Sequence, residues 1–316
     1  MATTADDQTL PRETATYHVG LTDVALLAMA TIWGVNYSVI KFATRTFTPL
    51  VFNGLRIPLA AGVQLAASRT REPALASSDR TRLVVLGMLG NGVYQVLFIL
   101  GIARTRVATA ALLMAATPAL IAVFGWWHGS ERVTARSIVG IALQLLGVLS
   151  VVAGAAGATS GSDSLFGVAL VLLAAAAWAA YAILIRPYAH RVAPLQLGGY
   201  TMLGGALVAV VAAVPTWGQV AWRDTTPLSW AAVAYSGAIA LVVAYLFWYR
   251  GVRIIGPTRT SMYSNLQPLI AMLVAWLALG ERPTPWQLLG AVCIMAGLVL
   301  ARSQPGATRA PSGNPD

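Results

Sequence analysis

Pro118, the pair Glu131-Arg132, Gly140 and Gly147 return 150 residues further on as Pro268, Glu281-Arg282, Gly290 and Gly297. Nearer the start of each copy a second set returns at an offset of 145, pairing Trp33 with Trp178, Lys41 with Arg186 and Pro49 with Pro194. A chain written twice must fold as two similar units. Here those units are strongly apolar, since 57% of the 316 residues are hydrophobic and only 10% are charged. Duplication in such a chain points to a membrane carrier with internal repeats, an architecture that places its site where the related halves meet.

Hydropathy gives the units their contents. The mean hydropathy of +0.69 is concentrated in apolar runs of roughly 20 residues, the length that spans a bilayer core as a helix. Ten such runs lie near 24–42, 49–67, 83–102, 107–127 and 137–154, then 165–185, 194–214, 230–249, 258–278 and 286–301. The expected fold is therefore all-α, a polytopic membrane protein of ten transmembrane helices in two five-helix repeats. Five is odd, so the second repeat enters the membrane from the opposite side and the repeats are inverted. The expected organisation is a cytoplasmic tail over 1–21, the first repeat over 22–154, an external linker over 155–163, the second repeat over 164–302 and a disordered cytoplasmic tail over 303–316. No cleavable signal peptide is evident, and the single cysteine, Cys293, excludes a disulfide framework.

Net charge is +10, but its placement follows topology rather than a nucleic-acid footprint. With ten spans, fourteen basic residues fall on one side and six on the other (Lys41, Arg45, Arg104, Arg106, Arg223 and Arg282), with Arg56 inside a helix. The side richer in arginine is expected to be cytoplasmic and to hold both termini. Gly140 and Gly147, like Gly290 and Gly297, are seven apart and suit close helix packing. Pro118 and Pro268 interrupt the hydrogen-bond ladder within the fourth and ninth spans, as a gating kink or a static bend. Glu131 and Glu281 read as caps or loop ion pairs. No carboxylate stands in the middle of any run, and His18, His128 and His190 fall in the tail, at a span end and in a loop. This favours facilitated or exchange transport over coupling through a buried acid.

The ordered set Trp33-Gly34-Val35-Asn36-Tyr37, Lys41, Pro49, Arg56, Thr117-Pro118, Glu131-Arg132, Gly140 and Gly147 resembles the EamA repeat of the drug/metabolite transporter superfamily. A second copy follows in Trp178, Tyr181, Arg186, Pro194, Gln267-Pro268, Gly280-Glu281-Arg282, Gly290 and Gly297. The likeness covers nearly all of residues 22–302, and the copies depart from one another at Asn36 against Tyr181 and at Arg56 against Thr201. It implies a carrier of the bacterial inner membrane, commonly an exporter of amino acids, aromatic and hydrophobic ones included, or of related metabolites. A drug, nucleotide-sugar or sugar-phosphate carrier and an intramembrane lipid-modifying enzyme stand as alternatives.

Candidate substrate-binding residues come from polar and aromatic groups placed inside spans. Arg56 is the exceptional one, because a cation about two turns into a helix costs roughly 2.5–3.5 kcal/mol to insert and needs a partner or a water-filled cavity. It reads either as a counter-charge for a substrate carboxylate or phosphate, or as an arginine snorkelling toward an interface. Asn91, Tyr94 and Gln95 share a helix face, as do Tyr263 and Gln267, and Trp33 with Asn36 matches Trp178 with Tyr181. These side chains line a cavity or pack a core; Trp126, Trp127, Trp230 and Trp286, near span ends, suit an interfacial belt. No metal-spaced cluster, phosphate loop or nucleophile–base pair is present in the sequence, so no enzyme activity, catalytic residue, metal or cofactor is expected. The expected partners are a small-molecule substrate and the lipid bilayer, with no nucleic acid, in a monomer or weak homodimer.

Overall fold

The computed structural model describes residues 20–69, 72–127, 135–156, 163–189 and 191–302, and every regular element among them is helical. The first half contains α1 (Leu21–Ala43), α2 (Pro49–Arg69), α3 (Ser77–Gly87), α4 (Tyr94–Ala103), α5 (Val107–Met114), α6 (Thr117–Trp127) and α7 (Ala135–Ala156). The second contains α8 (Leu165–Ala189), α9 (Pro194–Ala213), α10 (Pro227–Ala234), α11 (Ala244–Ser264), α12 (Leu266–Leu279) and α13 (Pro285–Arg302). Prolines open α2, α9, α10 and α13, where a fixed φ suits the first turn and no intrahelical N–H bond is lost. Both expected tails, most of the linker, Glu131-Arg132, His18, His128 and His190 lie outside the described residues, as do the side chains of Trp126 and Trp127.

Each expected apolar run is helical where it is described, apart from two short breaks. Seven stretches are long and apolar enough to cross a membrane, among them Ser77–Ala103 and Pro227–Gly251; Val107–Ile121, Leu266–Leu279 and Pro285–Leu300 are shorter. Pro268 accounts for one of the short ones, since Leu266–Leu279 begins just after a break. The helix breaks at Ala115-Ala116, ahead of Pro118, and at Asn265, ahead of Pro268. Pro118 has no N–H for the carbonyl of Met114, and the hydroxyl of Thr117 donates to that oxygen instead, at 2.6 Å. The connection expected around 250–257 is made of helical turns, with Arg250 and Arg253 exposed. The chain folds back within it, because a Cβ at Gly251 would stand 2.9 Å from the Thr260 side chain, whereas nine residues of straight helix span about 13.5 Å.

The two halves are inverted, and the packing shows how. α7 and α13, the last helices of the two repeats, pack antiparallel: Gly147 meets Gly290, while Gly297 meets Gly140. A Cβ at Gly147 would stand 2.8 Å from the Gly290 carbonyl oxygen, and one at its repeat equivalent Gly297 would stand 2.5 Å from that of Gly140. One contact is thus the image of the other, and the glycines are packing devices. α2 and α9 behave alike, with Gly54 against Ala213 and Gly199 against Leu65. Likewise α1 packs on α11 and α12, and its counterpart α8 packs on α4 and α6. Equivalent helices that meet antiparallel are related by a twofold axis across the helices, which in a bilayer lies in the membrane plane.

A further irregularity obeys the same symmetry. α3 joins α4 through a π-helical segment, Met88–Val93, and α10 joins α11 through another, Tyr235–Val243, whose starts are 147 residues apart. Around this bundle the outer surface is apolar, with Val211 73% and Leu277 72% exposed, as lipid contact requires. Polar side chains are instead gathered inside.

Candidate functional site

Arg56 is 1% exposed and stands at the centre of the bundle. α2 carries it inward beside Asn53, one turn earlier, and the π-helical segment of the other half brings Ser236 to it. Its Nε donates to Asn53 Oδ1 at 2.9 Å, its Nη1 to Ser236 Oγ at 2.8 Å and its Nη2 to Gln95 Oε1 at 2.8 Å. Asn53 is itself fixed, donating from Nδ2 to the Gln95 carbonyl at 2.7 Å. The guanidinium lies 5.3 Å from the Phe52 ring centroid, with Tyr94 and Tyr245 nearby. All three acceptors are neutral, so among the described residues no carboxylate pairs with this cation.

Beside it lies an aromatic cluster built from both halves. Trp178 is central, with ring centroids at 5.1 Å from Tyr94, 5.3 Å from Tyr181, 6.0 Å from Tyr245 and 6.1 Å from Trp248. Trp33 packs edge-on against Tyr245 at 5.4 Å and is anchored by its indole N–H, which donates to the Ala240 carbonyl at 2.9 Å. That carbonyl belongs to the second π-helical segment, where the altered bonding ladder leaves oxygens open to side chains.

A second polar group lies on the far side of Tyr245. Its hydroxyl donates to Asn91 Oδ1 at 3.3 Å, and the hydroxyls of Tyr181 and Tyr249 stand 3.4 Å apart. Tyr181 also faces Thr201 and Asn91. Asn91 is 0% exposed, yet its amide nitrogen lacks a bonding partner among the described residues, as does Asn36 Oδ1 on α1. Every member of this group is neutral.

One end of the bundle is closed by polar contacts. Lys41 donates to the carbonyls of Ile102, Ala103 and Thr105, capping α4. Glu281 and Asp163 accept the N–H groups at the start of α5, from Val107 at 2.8 Å and Arg106 at 2.7 Å. Gly280 makes the first of these possible, since its left-handed φ of 71° ends α12 and turns the chain toward α5. Glu281 therefore caps a helix, as the sequence suggested, and Arg106 also donates to the Arg282 carbonyl. At the other end Arg191 pairs with Asp79 at 3.1 Å, and the Glu72 carboxylate accepts the Gln196 backbone N–H in the first turn of α9. Burial raises the pKa of Glu72 above its ordinary value, against that hydrogen bond.

The candidates thus divide. Arg56, Gln95, Tyr94, Trp33, Trp178 and Tyr181 converge. Asn36 is buried on the face next to Trp33. Tyr263 reaches only the rim, packing with Trp33 and Trp248 around Leu26, Met29 and Ala244 while its hydroxyl donates to Asp23 at the start of α1. Gln267 is half-buried and presents its backbone carbonyl to Gly34. Tyr245, Trp248, Tyr249, Asn53 and Ser236 were not singled out from sequence. Comparing copies would have found the first three, because at the 147-residue offset they replace Phe98, Gly101 and Ile102. Among the described residues, Asp23 and Asp79 are the carboxylates within membrane-spanning helices, each in a first turn, and no group of three metal-binding side chains occurs.

Comparison with known proteins agrees with the two-repeat organisation. A family model described as the EamA-like transporter family matches residues 20–153 and again 165–303, one match per repeat. A Bacillus subtilis protein named "Uncharacterized transporter YyaM" is 28% identical over 295 residues, covering 92% of this chain and 95% of its own. An Escherichia coli protein named "Probable amino-acid metabolite efflux pump" is 28% identical over 294 residues, covering 88% and 93%. A Streptantibioticus cattleyicolor protein named "Probable terminal-alkyne amino-acid exporter" is 26% identical over 286 residues, covering 85% and 92%. A solved crystal structure, 20% identical, shares the fold with a TM-score of 0.61 over 89% of this chain and 96% of that one.

Proposed function

The chain belongs to the EamA-like transporter family, and on that premise we propose that it exports amino acids or closely related carboxylates across the bacterial cytoplasmic membrane by alternating access, with both termini inside. The observation that carries this reading is Arg56, a buried cation held by three neutral side chains. A permanent positive charge without a counter-ion favours a solute that supplies one, and a carboxylate matches the guanidinium fork. The aromatic cluster around Trp178 supplies an apolar wall for the rest of the solute. The relatives named as amino-acid exporters support the substrate class. Inverted halves support the exchange of outward-open and inward-open forms.

Carboxylates in the described membrane-spanning helices are confined to first turns, so the transport step is exchange or facilitated movement without a proton carried by a buried acid. Counterflow in proteoliposomes with a panel of labelled amino acids tests the whole reading. Uptake is expected with the wild-type chain, insensitive to a protonophore, and lost in Arg56→Ala; Asn36→Ala is expected to weaken it. Competition by cationic drugs or sugar phosphates but by no amino acid would assign the carrier to another substrate class.

A further inference from the structure

The polar group around Asn91 takes no part in holding Arg56, and its chemistry is specific. Asn91 lies at full burial in the π-helical segment Met88–Val93, with its amide oxygen used by Tyr245 and its amide nitrogen without a bonding partner among the described residues. A buried amide N–H left unbonded is costly, and it calls for an oxygen acceptor. The surrounding hydroxyls form a loose set. The contacts of 3.3 Å and 3.4 Å exceed the 2.7–2.8 Å usual between oxygens, so these groups hold one another weakly. Tyr181, Tyr245, Tyr249, Thr201 and Asn91 are all neutral, which suits a dipole and disfavours a second charge.

Its position ties it to Arg56. Asn91 in the π-helical segment and Gln95 in the first turn of α4 are about one helical turn apart, and Gln95 holds Arg56 while Asn91 holds the second group. Tyr245 borders both. Resting on the reading of Arg56 as the carboxylate anchor, we propose that Asn91, with the Tyr181, Tyr245 and Tyr249 hydroxyls, is a second subsite that receives a neutral oxygen acceptor of the solute. The solute class is then a carboxylate bearing an amide, carbonyl or hydroxyl oxygen about one helical turn from its carboxyl group.

Counterflow with the purified full-length chain in proteoliposomes tests this with two probes of one shape. Glutamine carries a side-chain amide, and homoleucine (2-amino-5-methylhexanoate) replaces that amide with an isopropyl group. Wild type is expected to prefer glutamine at least tenfold, because the analogue leaves the buried amide unpaired. Asn91→Leu is expected to bring the two within about twofold by losing glutamine and keeping homoleucine, and Tyr245→Phe to narrow the ratio partway. A wild-type ratio near one, as an amide that merely holds water would give, overturns the subsite while leaving the carboxylate reading intact; so does an unchanged ratio in Asn91→Leu. Absence of counterflow with every carboxylate overturns both. Should Asn91→Leu fail to fold, the wild-type ratio and Tyr245→Phe still decide.

Discussion

Arg56 and Thr201 occupy equivalent positions in the two repeats, 145 residues apart, and each faces the π-helical region of the opposite half. Around Arg56 the hydrogen bonds measure 2.8–2.9 Å and end on a permanent cation. On the Thr201 side the contacts lengthen to 3.3–3.4 Å and every group is neutral. Thr201 itself is turned back on its own helix, donating to the Leu197 carbonyl at 2.8 Å. A pair of identical poles would receive a solute in either direction. A cationic pole opposite a dipolar one fixes which end goes where, so the duplication supplies the moving frame and divergence between the copies supplies orientation.

The strongest way to break the contrast is to remove the charge. Three charge-assisted bonds, each about 1.5–3 kcal/mol, outweigh a burial cost of roughly 2.5–3.5 kcal/mol, so the empty carrier keeps Arg56 caged. Arg56→Met is expected to lower counterflow of carboxylates at least about a hundredfold and, by orphaning Asn53, Gln95 and Ser236, to cost about 1–3 kcal/mol of stability. Arg56→Lys keeps the charge without the planar fork, and a loss of roughly tenfold is expected. Equal transport by Arg56→Met and wild type would reduce Arg56 to a structural strut.

The contrast also presumes that the two positions are related by the twofold axis, and the glycine pair across α7 and α13 tests that. Gly147→Ala and its repeat equivalent Gly297→Ala drive a methyl group toward the carbonyls of Gly290 and Gly140, at 2.8 Å and 2.5 Å. Each is expected to cost about 1–3 kcal/mol, and the two costs should agree within about 0.5 kcal/mol. Thermal unfolding in detergent, read by intrinsic tryptophan fluorescence, measures both. A large cost at one glycine and none at the other would show that the repeats have lost equivalence at this interface.

Much of this was legible in the chain. The spacing of Pro, Gly and Trp between copies revealed the repeats, the odd number of expected spans per repeat implied the inversion, and Arg56 stood out because a mid-span cation is costly. What escaped was local. A π-helical segment has no fixed residue pattern, so the register that turns Ser236 toward Arg56 and Asn91 toward Tyr245 was unreadable. Tyr245, Trp248 and Tyr249 fall near the end of an apolar run, where aromatic residues suit an interfacial belt as well as a site. Tyr263 and Gln267 share a helical spacing, but the break at Asn265 separates them, and continuous-helix geometry no longer applies. Lys41 and Arg186 match in sequence and differ in role, because Lys41 caps the end of α4 whereas Arg186 is exposed.

The smallest effects give the finest measure of the contrast, since one hydroxyl can be deleted from each pole. Ser236→Ala removes a 2.8 Å bond to a buried guanidinium, and Tyr249→Phe removes a 3.4 Å contact between two neutral phenols. The first is expected to cost about 1.5–3 kcal/mol and the second less than about 0.5 kcal/mol, although Tyr249 is the larger and equally interior side chain. In thermal unfolding at one detergent concentration, Ser236→Ala should lower the midpoint by several degrees and Tyr249→Phe by about one. Added carboxylate substrate should narrow the gap, because the solute's own oxygens can take the guanidinium N–H freed by Ser236→Ala. Equal shifts in the two variants, with or without substrate, would mean that the long contacts of the neutral pole are as strong as the cage around Arg56. The tight-and-loose distinction between the halves would then have to be abandoned.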